Sequence, residues 1–272
     1  MILLAKHAGF CFGVKRAVEA VQGHIGQRLV SLGPLIHNPF VVESLKKQGV
    51  RCADSLDEVL KDETVIIRSH GTVPQTYEEL RKRGINYIDA TCIFVKRIHE
   101  RVKEARQDGL TSVIIGEAGH PEVEATLGWA GKDARVVYSK EDVDKLPDIE
   151  QAVIVAQTTI TEDKWTEMLC LLEHKISRVI PFKSICLATQ QRQSEARQIA
   201  RRADTVIVVG GKKSSNTCKL AQLCAEYCKN VYHIEHKNEL LPEKSQLFKC
   251  YSSVFGKKSA KETFDSCTGG IS

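Results

Sequence analysis

One pattern occurs three times along this chain of 272 residues, and the repeat constrains the fold more than any other feature. In each copy a cysteine ends an extended or apolar stretch, and an amphipathic helical pattern follows at once. The three segments read "AGFCFGVKRAVEAVQ", "DATCIFVKRIHERVKEA" and "KSICLATQQRQSEARQIA". They place Cys11, Cys92 and Cys186 at equivalent junctions between a strand and a helix.

Each copy continues with an apolar β-type run whose far end is polar. The runs are "RLVSLGPLIHN", "SVIIGEAGHPEVE" and "TVIVVGGKKSSNT", and they bring His37, His120 and Ser214 to equivalent positions. Two later runs, "TVIIRSHGTVP" and "AVIVAQTTIT", end in the same way at His70 and Thr158. Alternation of apolar strands with helical patterns predicts α/β units with parallel sheets.

Ligands of parallel α/β units bind at the carboxyl ends of the strands, where loops and helix N-termini meet. We therefore expect an α/β fold with three pseudo-threefold-related lobes, residues 1–92, 93–180 and 181–272, around a central cavity. A helix N-terminus favours the thiolate form of a cysteine, which is the form that binds metal. Three thiolates facing one cavity would leave a metal centre with an open position for a substrate.

The cysteine count and the hydropathy of the chain favour a cytoplasmic enzyme. Ten cysteines without any C-x-x-C exclude a zinc ribbon and a bacterial ferredoxin pattern. No segment is apolar enough for a membrane span or a signal peptide, so the chain is expected in the cytosol. Because disulfides are rare there, we expect metal, redox or catalytic use of some cysteines rather than a disulfide framework. The net charge of +5 is diffuse and indicates no nucleic-acid partner.

Polar residues at the strand ends are candidates for binding an anion. Histidine side chains can donate hydrogen bonds to phosphate oxygens, although service as extra metal ligands stays open. Hydroxyl, amide and backbone N–H groups at the start of a helix can form an anion site. The candidates of these two kinds are His37, His70, His120, Ser214, Ser215 and Asn216.

Glu122 is the candidate acid. It follows His120 and Pro121 in "GHPEVE", and a carboxyl group in a closed, partly apolar cavity has a raised pKa and can deliver a proton. An ordinary acidic residue in the first turn of a helix is the competing interpretation.

Seven short strings together identify a family. "GFCFGVKRAV", "GPLIHN", "RSHG", "DATC", "GHPEV", "QTT" and "GGKKSSNT" occur in an order and at a spacing that resemble the 4-hydroxy-3-methylbut-2-enyl diphosphate reductases of the non-mevalonate isoprenoid pathway. The resemblance extends over residues 1–243. It implies a three-lobed α/β fold around a [4Fe–4S] cluster, with Cys11, Cys92 and Cys186 as the ligands.

The resemblance also implies the reaction and the roles of further residues. Two electrons, supplied by a ferredoxin or a flavodoxin, and protons remove the allylic hydroxyl as water, giving isopentenyl and dimethylallyl diphosphate. Glu122 is implied as the proton source, and Thr158 is implied as a hydrogen-bonding partner near the hydroxyl. The implied diphosphate contacts are His37, His70, His120, Ser214, Ser215 and Asn216.

The C-terminus departs from the family pattern. Family members end in a strand that leads to a serine-containing loop, whereas residues 244–272 read "KSQLFKCYSSVFGKKSAKETFDSCTGGIS". Ser252 or Ser253 could replace the family serine, but neither follows an apolar strand pattern. A truncated or frame-shifted C-terminus is therefore expected, with weaker diphosphate binding. A smaller departure is Ile93, which follows "DATC" where the family has proline.

Two other functions stay open at this stage. One is a three-cysteine iron–sulfur synthase of quinolinate synthase type, against which the "GHPEV" and "SSN" strings argue. The other is a non-catalytic iron–sulfur or thiol redox sensor, which a tail that abolishes substrate binding would favour.

Overall fold

The computed structural model describes residues 2–236, residue 239 and the backbone of residues 252–253. Within these residues parallel strands alternate with helices, which confirms the predicted α/β class. In chain order the elements are β1 (Leu3–Leu4), α1 (Phe12–Gln22), β2 (Leu29–Leu32), α2 (Pro39–Lys47), β3 (Val50–Ala53), β4 (Thr64–Ile67), α3 (Pro74–Lys82), β5 (Tyr87–Asp89), α4 (Ile93–Gln107), β6 (Thr111–Ile115), α5 (Pro121–Ala130), β7 (Arg135–Val137), α6 (Lys140–Asp144), β8 (Gln151–Ala156), α7 (Glu162–Lys175), β9 (Arg178–Phe182), α8 (Leu187–Ala200), β10 (Thr205–Val209), α9 (Ser215–Ala225), β11 (Asn230–Ile234) and β12 (Ser252–Ser253).

The chain divides into two compact units, each of which is described by itself. The smaller unit takes its described residues from Met1–Cys11, His37–Pro39 and Leu187–Ser272. The larger unit consists of Phe12–Ile36 and Phe40–Cys186.

The larger unit contains two parallel four-stranded sheets with the same strand order. The first is β3-β2-β4-β5 and the second is β7-β6-β8-β9. Their central strands are apolar runs buried on both faces, as parallel sheets covered by helices require. Ile66 in the first sheet and Ile154 in the second are fully buried.

The smaller unit contains a third parallel sheet, ordered β11-β10-β12-β1. Its order matches the other two sheets when β10, β11, β12 and β1 are counted as the first to fourth strands. The N-terminal strand therefore completes a sheet whose other strands come from the C-terminal part of the chain. The boundaries 1–92, 93–180 and 181–272 stay a prediction.

This shared topology explains the cysteine repeat. Cys11 lies between β1 and α1, Cys92 between β5 and α4, and Cys186 between β9 and α8. Each cysteine thus follows the fourth strand of one sheet and precedes a helix. The parallel arrangement sends the polar ends of the strands in each sheet to a single edge.

The short strand β12 departs from the sequence-based expectation. The residues around Ser252 and Ser253 lack an apolar strand pattern, yet Ser252 pairs with Leu3, and Ser253 pairs with Leu4 and Ile207. Pairing with a neighbour on each side supplies backbone hydrogen bonds that a pattern of side chains does not reveal. The other residues of the tail, 244–251 and 254–272, lie outside the described residues, as do Cys250 and Cys267.

Among the residues that the structure describes, no helix has the length and hydropathy to cross a bilayer.

Candidate functional site

Cys92 is held at the start of α4 by the neighbouring strand end. Its backbone N–H donates to the carbonyl of Ser69, 2.9 Å away, just after β4. Ser69 is itself buried, and its hydroxyl donates to the carbonyl of Leu35 at 3.1 Å. As the N-cap of α4, the half-buried Cys92 side chain lies where the helix dipole favours negative charge.

Cys186 is held by the equivalent contact of the second sheet. Its backbone N–H donates to the carbonyl of Thr158 at 3.2 Å, just after β8. Two residues earlier, the Ser184 hydroxyl accepts from the N–H of Ala156 at 2.7 Å. In both sheets of the larger unit, therefore, the third strand fixes the cysteine that follows the fourth.

Cys11 is positioned differently, by side chains of α8 within the smaller unit. Arg192 donates to the carbonyls of His7 and Gly9, at 3.2 and 2.6 Å. Glu195 accepts from the N–H groups of Lys6 and His7, at 2.6 and 2.9 Å. Burial raises the pKa of Glu195, but these backbone hydrogen bonds outweigh it and lower the pKa. The carboxylate therefore holds the loop before Cys11.

The other described cysteines have ordinary surroundings. Cys52 and Cys170 are exposed, whereas Cys224 and Cys228 are buried beside the third sheet. Burial raises the pKa of Cys224 to about 12, which makes a metal-binding thiolate unfavourable there.

Glu122 and Thr158 form a buried pair. One carboxylate oxygen of Glu122 accepts from the Thr158 N–H at 2.6 Å, and the other accepts from the Thr158 hydroxyl at 2.8 Å. Both residues are less than a tenth exposed. Since Thr158 also accepts from the N–H of Cys186, one residue joins the candidate acid to a candidate metal ligand.

Glu122 belongs to the first turn of a helix and also has a buried side chain. It lies in the first turn of α5, and its backbone N–H donates to Nδ1 of His120, the N-cap, at 3.1 Å. Its side chain nevertheless turns inward to Thr158. Glu124, in the same turn, is exposed and accepts from the N–H of Gly119.

The histidines at the strand ends fall in both units. His70 and His120 of the larger unit have ring centroids 5.6 Å apart in an edge-to-face arrangement. His37 lies in the smaller unit, and its carbonyl oxygen would be only 2.1 Å from a Cβ at Gly211. Only glycine therefore allows the "GGKKSSNT" loop to approach the His37 backbone this closely.

The "SSN" segment opens α9, as the sequence predicts. Ser214 is the N-cap, Ser215 is buried in the first turn and Asn216 is half-buried. Nζ of Lys219 donates to the Ser215 hydroxyl at 2.6 Å, although Lys219 is only 4% exposed. The segment thus combines a helix N-terminus, which favours an anion, with a buried amino group that holds the Ser215 hydroxyl.

Lys219, Arg192 and Glu195 were not predicted from the sequence. Lys219 lies four residues after Ser215, and Arg192 and Glu195 lie three residues apart in "RQSE". These spacings place the side chains on one face of a helix and are compatible with a shared function. The same spacings are common on solvated helix faces, and only the structure reveals that Lys219 and Arg192 are buried and that Glu195 is half-buried.

The fold and these residues define a parallel α/β protein with cysteine, carboxyl, hydroxyl and imidazole groups beyond the strand ends of its sheets, the usual location of an enzyme active site in this class. The chain belongs to the LytB protein family, whose model matches residues 2–257. The family resemblance predicted from the sequence is thereby confirmed.

Relatives and solved structures agree with this assignment. A 4-hydroxy-3-methylbut-2-enyl diphosphate reductase of Caldanaerobacter subterraneus subsp. tengcongensis is 44% identical over 245 residues, covering 88% of this chain and 85% of the relative. The enzyme of that name from Aquifex aeolicus is 42% identical over 249 residues, with 89% and 86% covered.

Two structures of such reductases are also similar. One, described as the terminal enzyme of the non-mevalonate pathway, has a TM-score of 0.71 and 38% identity, covering 99% of this chain and 98% of that one. The other, from Plasmodium falciparum, has a TM-score of 0.91 and 26% identity, with 98% and 87% covered.

Proposed function

We propose that this protein is a 4-hydroxy-3-methylbut-2-enyl diphosphate reductase. The substrate takes up two electrons and two protons, its allylic C–O bond breaks, the hydroxyl leaves as water, and isopentenyl and dimethylallyl diphosphate are formed. The observation that carries the proposal is the chain of contacts from Cys186 through Thr158 to Glu122, in a protein 44% identical to a reductase of this name.

A [4Fe–4S] cluster is proposed as the cofactor, with Cys11, Cys92 and Cys186 as its ligands. The donor set fits, because thiolates are the usual ligands of such clusters, and Cys92 and Cys186 are half-buried and fixed by equivalent backbone contacts. When bound, the cluster supplies a Lewis-acidic iron for the hydroxyl and passes the electrons. A ferredoxin or flavodoxin is proposed as the electron donor, in a cytoplasmic setting that keeps thiols reduced.

Six side chains are proposed as the contacts of the diphosphate. Imidazole N–H groups of His37, His70 and His120 can donate to its oxygens, and so can the hydroxyl and amide groups of Ser214, Ser215 and Asn216. Lys219 supports this assignment, since its buried amino group donates a hydrogen bond to the Ser215 hydroxyl.

Glu122 is assigned as the proton source and Thr158 as the group that orients both Glu122 and the leaving hydroxyl. In its protonated state Glu122 can pass a proton from a carboxyl oxygen to the substrate. The Thr158 hydroxyl donates to Glu122, and its oxygen can still accept a hydrogen bond. Thr158 can therefore bridge the acid and the substrate hydroxyl.

Removing the Thr158 hydroxyl should slow the reaction. In Thr158→Val the backbone N–H still holds Glu122, but one carboxyl oxygen loses its buried donor, so kcat should fall by roughly ten- to a hundredfold, about 1–3 kcal/mol. Thr158→Ser keeps the hydroxyl and should recover most of the rate. Thr166→Val, on the exposed face of α7, is the matched control. Equal rates for the valine and wild-type proteins would contradict the assigned role.

Loss of Arg192 should weaken retention of the cluster. In Arg192→Leu the carbonyls of His7 and Gly9 lose their charged donor, and the loop before Cys11 gains freedom. We expect the cluster absorbance to bleach several-fold faster in the presence of an iron chelator. Arg201→Leu, at an exposed arginine that lies over Tyr227, should bleach at the wild-type rate. If both variants behave alike, the Arg192 contacts do not position a ligand.

The proposed activity is tested by substrate-dependent oxidation of a reduced viologen after anaerobic reconstitution of the cluster. The reduced viologen should be oxidised when the substrate is added. It should stay reduced when quinolinate precursors are added, since neither the family nor the relatives support a synthase of quinolinate synthase type. A stable cluster that never turns over would instead favour the non-catalytic redox sensor.

A further inference from the structure

The loop between β4 and α3 carries His70, and each of its next three residues contacts another element of the larger unit. Gly71 lies against α4, while Thr72 and Val73 lie against α5. The loop is therefore held from outside its own sheet, at a point directly beside a residue assigned to the diphosphate.

His99 of α4 packs beneath Gly71. Gly71 has a φ of 76°, and a Cβ there would lie 2.6 Å from Cε1 of His99. His99 is 5% exposed, and burial lowers its pKa to about 4, so the ring is neutral at ordinary pH. A neutral imidazole can serve as a flat packing surface without the cost of a buried charge.

Trp129 of α5 ties the next part of the loop to its helix. The indole N–H donates to the Thr72 carbonyl at 2.9 Å, and the ring stacks on His99 with centroids 5.5 Å apart and planes inclined by 19°. The preceding Gly128 lies so close to the loop that its Cβ would be 2.5 Å from Cγ1 of Val73. Hydrogen bonding, stacking and close packing all act on one short segment.

The same helix holds the second imidazole. His120 is the N-cap of α5, and Trp129 lies at the other end of this ten-residue helix. Because the intrahelical hydrogen bonds make such a helix stiff, fixing Trp129 against Thr72 restrains where His120 lies relative to His70. The two rings meet with their centroids 5.6 Å apart.

We propose that Trp129 and His99 are positioning residues that set the spacing of His70 and His120 and thereby the affinity for the substrate's diphosphate group. The inference rests on the proposed function, because it takes His70 and His120 as diphosphate contacts. Neither Trp129 nor His99 is a contact of the substrate in this proposal. Their effect is exerted through the loop and through α5.

Trp129→Phe tests the inference, with Trp165→Phe as its matched control. Trp165 is the other of the two tryptophans and is buried in the core beside the second sheet, in a cluster that includes no residue of the loop. Trp129→Phe keeps an aromatic ring but leaves the Thr72 carbonyl without its donor, so KM should rise about tenfold, corresponding to about 1.4 kcal/mol, with a smaller change in kcat. The inhibition constant of inorganic pyrophosphate should rise by the same factor.

Stability is measured alongside to separate positioning from general damage. Both variants should lower the unfolding temperature, but only Trp129→Phe should raise KM. Equal KM values in the two variants at a similar loss of stability would overturn the inference. If Trp129→Phe does not fold, Gly128→Ala is the second variant, because its added methyl group would clash with Val73 and displace the loop. It should raise KM in the same way.

A fluorescence measurement keeps the test independent of turnover. In reconstituted Trp165→Phe protein the only tryptophan is Trp129, whose emission should change saturably as inorganic pyrophosphate is added. In Trp129→Phe protein the emission of Trp165 should stay constant. A chain that binds pyrophosphate in this way but never turns over would contradict the proposed function alone. Turnover by the wild type together with an unresponsive Trp129 would overturn the inference alone.

Discussion

Cys92→Ser protein is expected to emerge from anaerobic reconstitution without the visible absorbance of an iron–sulfur cluster and without reductase activity. A serine hydroxyl is a harder and far less acidic donor than a thiol, and with three protein ligands the loss of one leaves too few thiolates to hold the cluster. Cys186→Ser should behave in the same way, because the backbone contacts of Cys186 and Cys92 are equivalent.

Exposed cysteines provide the matched controls for this experiment. Cys170→Ser on α7 and Cys52→Ser on β3 remove a thiol at positions with no assigned ligand role and should keep the full iron content. Iron and sulfide analysis of the purified variants is the measurement. A Cys92→Ser protein with wild-type iron and sulfide would show that Cys92 is not a ligand.

Glu122→Gln is expected to keep the cluster and lose most of the turnover. The amide has nearly the same shape as the carboxyl group, and its oxygen can still accept from the Thr158 N–H. It cannot pass on a proton, however, and general acids contribute roughly a hundredfold to ten-thousandfold to a rate. We therefore expect kcat to fall by at least about a hundredfold, while KM changes much less.

The neighbouring acid in the same helical turn serves as the control for Glu122. Glu124→Gln alters an exposed carboxyl group and should leave kcat within about twofold of the wild type, as expected for a surface substitution. The rates are compared by viologen oxidation at saturating substrate, with the iron content of each variant as the reference. Full activity of Glu122→Gln would show that another group is the proton source.

The features that the sequence predicts correctly are the locally encoded ones. The change from an apolar run to an amphipathic pattern locates the cysteine junctions, and the serine pair at the start of α9 is recognisable from residue type alone. The threefold repetition of these patterns predicts the α/β class, and the three sheets do share one strand order.

Contacts between residues that are far apart in the sequence could not be predicted from local patterns. The hydrogen bonds of Glu122 to Thr158 join residues 36 positions apart, and no periodicity indicates such a pair. Arg192 reaches Gly9 across 183 positions, so its burial depends on a sheet that β1 completes from the other end of the chain. Trp129 resembles an ordinary helix residue until the fold brings it to Thr72.

The proposed reductase activity is tested most directly by product analysis with the wild-type protein after anaerobic reconstitution. The protein should contain about four iron and four sulfide per chain and, with a chemical reductant, should convert 4-hydroxy-3-methylbut-2-enyl diphosphate into isopentenyl and dimethylallyl diphosphate, separated by chromatography. A fully loaded protein that returns the substrate unchanged would contradict the central claim.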